Sequence, residues 1–434
     1  MVKAFWKFHS WCGIYTGGFL ALILITGAVA VFADHLYLWE NRKVARIDSA
    51  SLDPSRLNDW IEIARNEINV DSDTISLGGV FLPKDEQHAL RVLAFNPAGA
   101  RNPFALTNRP WLFTSVFIHP QTGEVLGKGN DDHSLSQYLR GIHVRLFAGT
   151  PGRNFVGLFG FTLLVNTVTG LIILSTFLGK KTVWVIRTKS LRLASADWHK
   201  LIGALLAVPA LVFAITGLWL GLQSILMQSF SIENPARFKR DAIVEPVEDE
   251  KFKVDYSEAF ARVYEAYPGF VIQQIIPSSK GEKTLTFKGK TKNMVYEELS
   301  QTVVLDKSDL SVLFVHNTHK SDWKQKLYFL QEGLHFGRFG GAWVQWLYLV
   351  VGILIGLLPI TGYIIARLRK NQSLKPVFRW SIAGGIYSLV MLIVLKAFGL
   401  VTAMAYGTLL LAAFLLSLII WTILRRWRST RKPA

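Results

Sequence analysis

The chain has 434 residues and 50% of them are hydrophobic, a share too high for an ordinary soluble protein. The formal net charge of +17 could suggest a nucleic-acid-binding protein, but the excess lies in four short segments at 1–10, 180–200, 367–379 and 425–434. They hold 18 basic residues and one acid, Asp197, and each adjoins an apolar run. This distribution argues against nucleic acid and, by the positive-inside rule, predicts that all four segments are cytoplasmic.

Six apolar runs predict membrane spans, most of them near the roughly 20 residues that cross about 30 Å of hydrocarbon. The spans lie at about 5–33, 155–178, 201–226, 343–366, 380–395 and 398–424, and the fifth is short. The first run is longer than the apolar core of a secretory signal, which has about 7–15 residues. We therefore expect it to stay as a helix, with both termini inside.

The spans carry a repeated pattern of histidine, glycine and Thr-Gly. In spans one and three, a histidine is followed four residues later by glycine and 17 residues later by Thr-Gly. At spans two and four, a histidine is followed 26 residues later by Thr-Gly. The residues are His9, Gly13, Thr26-Gly27, His199, Gly203, Thr216-Gly217, His143, Thr169-Gly170, His335 and Thr361-Gly362. The spacing predicts an internal duplication with a period of 190 to 192 residues, an architecture known in membrane proteins.

The two long polar segments between paired spans have matching patterns. Each predicts an amphipathic helix, at 57–68 and 257–267, followed by apolar strands in two hairpins. The predicted turns are at 83–86, 119–123, 278–281 and 306–309. Each segment is thus expected to form a small extracytoplasmic α+β domain.

The predicted fold is an integral membrane α-helical bundle with two extracytoplasmic α+β domains, made of a duplicated helix–domain–helix unit and a C-terminal helical hairpin. The expected boundaries are 1–35 for helix 1, 36–142 for the first domain, 143–179 for helix 2, 180–198 for a basic loop, 199–226 for helix 3, 227–334 for the second domain, 335–367 for helix 4, 368–379 for a basic loop, 380–424 for helices 5 and 6, and 425–434 for a basic tail.

Cysteine usage limits the possible chemistry. The one cysteine, Cys12, lies in the first span, so the chain has no disulfide framework, no Cys-x-x-Cys-His haem attachment and no thiolate cluster. Metal chemistry must therefore rest on His, Asp, Glu or a bound cofactor. The sequence identifies no catalytic residue.

The four repeated histidines predict two pairs at two membrane depths. Parallel repeats relate by an axis along the membrane normal, so His9 should face His199 near the cytoplasm and His143 should face His335 near the outer side. Two imidazoles that face each other across a bundle suit bis-histidine haem ligation and electron transfer. The alternative is that these are core or interfacial histidines.

Glycines beside these histidines favour a flat cofactor. Gly13 and Gly203 lie one turn after a histidine on the same helix face, where a side chain would collide with a porphyrin. Gly27 and Gly217 lie 18 residues after the inner histidines, about 27 Å along a helix, at the depth expected for the outer haem. Helix–helix packing is the alternative explanation for all four glycines.

Other polar and aromatic residues keep two interpretations. His316 and His319 could form a metal site or a solvated loop, and Arg140, Arg145 and Arg338 could pair with haem propionates or with water. The remaining histidines are expected at surfaces or interfaces: His35, His88, His119 and His133. Aromatic residues at span ends are expected to be interfacial anchors, with stacking on a haem as the alternative or additional role: Trp343, Trp346, Tyr363 and Trp421.

The span–domain–span order and the His-Gly and Thr-Gly segments resemble the PepSY-associated transmembrane proteins over about residues 1–370. That family includes bacterial inner-membrane iron-uptake proteins and di-haem ferric-siderophore reductases. The resemblance implies two b-type haems, PepSY-like soluble domains in the periplasm and an oxidoreductase that passes electrons outward to siderophore-bound iron. The family's histidines match His9, His143, His199 and His335, and the hairpin at 380–424 has no carried-over role.

The expected activity is thus transfer of electrons, from the cytoplasmic side or the quinol pool, to a ferric siderophore or another ferric chelate. No dinucleotide fingerprint is present, so a separate electron donor is expected, with membrane lipid as the other partner. Two other function classes stay open. One is a non-redox anchored module that binds a peptidase or cell-envelope partner, and the other is a transporter of a siderophore or small molecule.

Overall fold

A computed structural model describes residues 2–68, 76–96, 112–129, 134–146, 149–177, 184–238, 253–277, 284–292 and 295–370. Several predictions fall outside these residues: the spans at 380–395 and 398–424, the turn at 278–281, most of the basic loop at 368–379, the basic tail at 425–434, and the positions of His133 and Trp421. Within the described part, a helical bundle adjoins one antiparallel sheet with its covering helices.

Four of the described helices are long and apolar enough to cross a membrane. They are α1 (Val2–Ala30), α6 (Gly149–Ser175), α8 (Ala207–Ser229) and α11 (Gly341–Arg369). Helix α1 packs against α6 and α11, and α8 packs against α6. The α6–α8 crossing requires glycine, because a Cβ on Gly221 would collide with the backbone of Gly157.

Shorter helices precede three of these spans or follow the first. They are α2 (Ala33–Glu40), α3 (Arg42–Ala45), α5 (Leu135–Arg145), α7 (Leu191–Leu205) and α10 (Trp323–Phe336). Polar residues cap the starts of three of them: the side chains of Ser134, Ser190 and Asp322 accept hydrogen bonds from backbone N–H groups in the first turn.

The helices expected at 143–179, 199–226 and 335–367 differ from the structure at their first residues. Helix α7 begins at Leu191, inside the predicted loop. The helix is interrupted at Leu206 before α8 begins, because Pro209 has no N–H to donate to the carbonyl of Leu205 and its ring crowds that carbonyl. The predicted helix at 335–367 is interrupted because Gly337 adopts a φ of 64° and ends α10. The predicted helix at 143–179 is likewise divided, since α5 ends at Arg145.

The sheet has eight antiparallel strands in the order β4-β3-β2-β1-β5-β6-β7-β8. The strands are β1 (Ser76–Phe81), β2 (Leu90–Asn96), β3 (Leu112–Ile118), β4 (Val125–Lys128), β5 (Val271–Pro277), β6 (Thr284–Lys290), β7 (Gln301–Asp306) and β8 (Val312–His316). The predicted turns at 119–123 and 306–309 are confirmed, because they join β3 to β4 and β7 to β8.

The two predicted domains share one sheet and one core. Strands β1 and β5 pair at Val80 with Ile275 and at Phe81 with Gln274, which joins the two four-stranded halves. Helices α4 (Leu57–Ile68) and α9 (Tyr256–Ala266) match the predicted amphipathic helices and contribute to the same buried cluster on the sheet. The strand order therefore has the symmetry that a repeated unit would produce.

Candidate functional site

The four repeated histidines lie on four different helices and come together in two pairs. His9 lies on α1 and His199 on α7, whereas His143 and His335 lie near the last turns of α5 and α10. We call His143 and His335 the sheet-side pair, because their helices follow directly on the two halves of the sheet. His9 and His199 form the far pair, at the opposite end of the bundle.

Both pairs have the ring separation that one shared metal ion requires. The ring centroids are 6.0 Å apart in the sheet-side pair and 6.1 Å apart in the far pair. Two imidazoles bound on opposite sides of one metal at about 2.0 Å have centroids roughly 6 Å apart. The planes differ between the pairs, with an interplanar angle of 27° in the sheet-side pair and 85° in the far pair.

Hydrogen bonds hold the Nδ1 atom of every paired histidine. His9 lies 3.0 Å from Thr169 Oγ1, and His335 lies 2.8 Å from Thr216 Oγ1. His199 contacts Thr361 Oγ1 at 2.9 Å and the carbonyl of Leu358 at 3.0 Å, and His143 contacts the carbonyl of Ile23 at 2.9 Å. An acceptor at this position keeps the imidazole proton on Nδ1. The lone pair of Nε2 is then available to a metal, as is usual for histidine ligands.

The Thr-Gly segments are the places where these rings pack. A Cβ on Gly27 would collide with the ring of His143, and one on Gly217 would lie 3.7 Å from Cε1 of His335. The far pair has the same arrangement, with Gly170 against His9 and Gly362 against His199. The space that sequence reasoning assigned to a porphyrin at Gly27 and Gly217 is therefore next to an imidazole of the neighbouring helix.

The other two predicted glycines border open space. A Cβ on Gly13 or Gly203 would meet no atom of the described residues within 4 Å. Each lies one turn after a far-pair histidine on the same helix face, so no described side chain fills the position directly beside that ring. This arrangement fits a flat cofactor at the far pair.

A cavity of about 270 Å³ surrounds the sheet-side pair. Both rings line it, with apolar and glycine residues from α1, α6 and α8 making most of the wall. Its polar lining includes Arg140, Arg145, Arg153, Gln223 and Glu332. An apolar cavity with a few polar groups at one end is typical of cofactor sites.

The arginines near this cavity have different partners. Arg153 donates to the carbonyl of Leu220 at 2.8 Å and to Gln223 at 2.9 Å. Arg338 forms ion pairs with Asp34 at 2.7 Å and Glu298 at 3.4 Å, so its guanidinium is already engaged by two carboxylates. Arg140 and Arg153 line the cavity and Arg338 does not, so these two are better placed to meet a propionate.

Sequence reasoning missed Arg153 and Glu332. A signal for each was present, because Arg153 is a charge near the start of an apolar span and Glu332 precedes His335 by one helical turn. Neither position stands out without the shape of the cavity.

The remaining described histidines have local partners. His316 is buried against Phe329 beside Thr318, and burial lowers its pKa, whereas His319 contacts Thr291 and Tyr296. The described residues contain no group of three or more His, Cys, Asp and Glu able to hold a metal. Surface or interface contacts account for the others: His35 with Gln345, His88 with Asp85, and His119 with the backbone of Gln121 and Thr122.

The residues at both pairs fit a bis-imidazole haem. The pairs have the required ring separation and fixed Nδ1 atoms, the far pair has open glycine faces, and the sheet-side pair has a cavity. His9 and His199 would hold one haem, and His143 and His335 the other. A haem with both axial positions filled by histidine supplies reversible one-electron transfer.

The fold and these pairs define a multi-pass membrane protein with a PepSY-like sheet domain beside its helical bundle. The chain belongs to the family described as the PepSY-associated TM region, whose pattern matches residues 6–370. No curated protein matches the chain.

Proposed function

We propose that this protein is a di-haem electron carrier that moves electrons across the bacterial inner membrane and reduces ferric siderophore iron on the outer side. The proposal rests on one observation: two facing histidine pairs, with matching ring separations and fixed Nδ1 atoms, lie at opposite ends of one bundle. A haem bound at each pair would give a chain of two one-electron carriers.

The two depths are joined along α1. His9 and Gly27, which packs against His143, are 18 residues apart on this helix, which corresponds to about 27 Å. Phe19 lies between the two depths and packs against Phe155 and Phe159. Apolar side chains of the bundle core therefore pack between the two depths.

The direction of transfer follows from charge. Basic segments flank the far ends of the spans, which the positive-inside rule assigns to the cytoplasm. The far pair is then the inner site, which takes electrons from a separate donor or the quinol pool. The sheet-side pair is the outer site, next to the periplasmic sheet domain.

A ferric chelate is a chemically suitable electron acceptor at the outer site. Reduction to Fe²⁺ lowers the charge on the metal and weakens its bonds to the hard oxygen ligands of a siderophore, so iron is released. The proposed activity is therefore that of a ferric-siderophore reductase. Reoxidation of the reduced protein by a panel of ferric chelates identifies the acceptor.

His335→Ala tests the pairing. This variant should lose about one haem equivalent and keep the inner haem, because one axial ligand of the outer site is removed and the far pair is untouched. The measurement is haem per chain in the purified protein, with difference spectra after dithionite reduction.

His319→Ala is the matched control, since His319 is an exposed histidine of the same half and its ring contacts Thr291 and Tyr296. It should keep two haems. Two haems retained in His335→Ala would contradict the assignment of this residue as a ligand.

A further inference from the structure

Two carboxylates lie beside the sheet-side pair and take no part in holding its rings. Glu332 lines the cavity from α10, one helical turn before His335. Glu297 lies between β6 and β7, and its backbone N–H donates to the carbonyl of Phe329, one turn before Glu332. Glu332 thus lies on the same turns of α10 to which the backbone of Glu297 is hydrogen-bonded.

Glycine brings the segment that carries Glu297 against α10. A Cβ on Gly333 would collide with the carbonyl oxygen of Val295, so the segment crosses the helix at the residue next to Glu332. A larger residue at position 333 would push the two chains apart. The backbone thus holds the segment that carries Glu297 against the turn of α10 that carries Glu332.

Two arginines near Glu297 and Glu332 direct their hydrogen bonds to other groups. Arg338 binds Asp34 and Glu298, and Arg153 binds the carbonyl of Leu220 and Gln223. The remaining charged and titratable groups around the pair are Arg140 on α5, Tyr328 on α10, Lys288 on β6 and the two histidines of the cavity. Among the described residues, no Lys, Arg or His lies within ion-pair distance of either glutamate, whereas Asp34 and Glu298 both pair with Arg338.

Burial and mutual repulsion hold a proton on this pair. Burial, with the neighbouring Glu332 charge, raises the pKa of Glu297 to about 7, and Lys288 and Arg338 only partly oppose the shift. Burial also raises the pKa of Glu332, against the pull of Arg338, Arg140 and Arg153. The proton affinity of the pair therefore falls in the neutral range.

We propose that Glu332 and Glu297 form a proton acceptor that is coupled to the outer redox centre. When an electron reduces iron at the sheet-side pair from Fe(III) to Fe(II), the added negative charge favours protonation, and one carboxylate takes up one proton from the outer aqueous side. When the electron passes to the acceptor, the proton returns. This inference rests on the proposed function, because it requires a metal centre between His143 and His335.

The coupling has a definite sign. Because the pKa of Glu297 is raised to about 7, its carboxyl group is protonated below about pH 7 and becomes charged above it. Negatively charged glutamates next to the outer centre make the addition of an electron less favourable. The equilibrium for reduction of this centre should therefore become less favourable as the pH rises. The inner centre lies at the other end of the bundle and should not share this dependence.

The test is a spectroelectrochemical titration of the haem-loaded, full-length protein at a series of pH values between about 5.5 and 8.5. In the wild type, the equilibrium constant for reduction of the outer centre should fall with rising pH, by up to about tenfold per unit. In Glu332→Gln the dependence should shrink to less than about twofold per unit. Glu265→Gln, on an exposed face of α9, should behave as the wild type.

A second variant and a second measurement test the same proton acceptor independently of Glu332→Gln. Glu297→Gln should also flatten the dependence, and infrared difference spectra should lose the signal of a carboxyl group that protonates on reduction. An outer centre with no pH dependence, or one unchanged in both glutamine variants, overturns this inference and leaves the proposed function standing. Protein that binds no haem overturns both.

Discussion

Each paired histidine is oriented by an acceptor on a neighbouring helix, and the acceptors differ in kind. Three rings contact a threonine hydroxyl, at Thr169, Thr216 and Thr361, whereas His143 contacts a main-chain carbonyl. The threonines themselves donate to carbonyls one turn earlier in their helices, which fixes each hydroxyl as an acceptor toward the ring. A side-chain acceptor can be removed by mutation, so these contacts can be tested singly.

Thr216→Val should change the redox equilibrium of the outer centre without loss of haem. Valine keeps the shape of threonine but cannot accept from Nδ1 of His335, so the imidazole becomes less basic and stabilises Fe(III) less. Loss of one hydrogen bond of about 1 kcal/mol corresponds to roughly a fivefold shift toward the reduced form. A redox titration that follows the two haem bands separately measures this shift.

Thr162→Val is the control for this substitution, because Thr162 lies on α6 and its hydroxyl donates to the carbonyl of Phe159. Both bands should keep their wild-type equilibria there. An unchanged outer band in Thr216→Val would show that this contact does not tune the centre.

Sequence spacing predicts which histidines form pairs, but it does not predict what the glycines of the Thr-Gly segments contact. The equal offsets place His9 with His199 and His143 with His335, and the structure brings these rings together. At Gly27 and Gly217, the same spacing could indicate room for a porphyrin or for an imidazole. Only the packing of α5 on α1 and of α10 on α8 distinguishes the two.

At the level of the helices, the sites depend on breaks that hydropathy does not reveal. His335 lies on a helix that ends at Gly337, and His199 lies on one that ends at Leu205 before Pro209. The two histidines therefore lie on short helices that are separate from the long spans. Pro209 and Gly337 are recognisable breakers in the sequence, but an apolar run of sufficient length predicts a continuous span.

The open face of α1 beside His9 gives a test of the inner site. Gly13→Leu should remove the inner haem and keep the fold, because the new side chain enters space that is free of described atoms and next to the ligand ring. The haem content should fall from two to about one per chain, with the outer band retained.

Gly18→Leu is matched to this variant, since Gly18 lies on the same helix, is exposed and also has open space around it. It should keep both haems. Equal haem content in the two variants would contradict a flat cofactor beside Gly13.

On the scale of the whole molecule, the joined sheet holds the two halves of the bundle together. The pairing of β1 with β5 and the hydrogen bonds between Asn58 and the backbone of Val254 link the halves at the sheet end. Helix α5 follows one half and α10 follows the other. The sheet therefore sets the spacing of the two helices that carry His143 and His335.

This joining marks the limit of what the sequence could predict. Alternating apolar residues and polar turns predict the helices and hairpins of each half, because those patterns are local. The partner of an edge strand depends on contacts distant in sequence, between Val80 and Ile275, which have no local signature. The same holds for Glu297, whose nearness to Glu332 depends on chain crossing at Gly333.

If each histidine pair holds one haem, electron paramagnetic resonance of the oxidised protein should detect both haems at once. We expect two low-spin ferric signals of equal integrated intensity. The far pair, with ring planes at 85°, should give the more anisotropic signal, because perpendicular imidazoles leave two iron d orbitals nearly equal in energy; the sheet-side pair, at 27°, should give the less anisotropic one. A haem-supplied preparation that shows no low-spin ferric signal, or only one, would contradict the account.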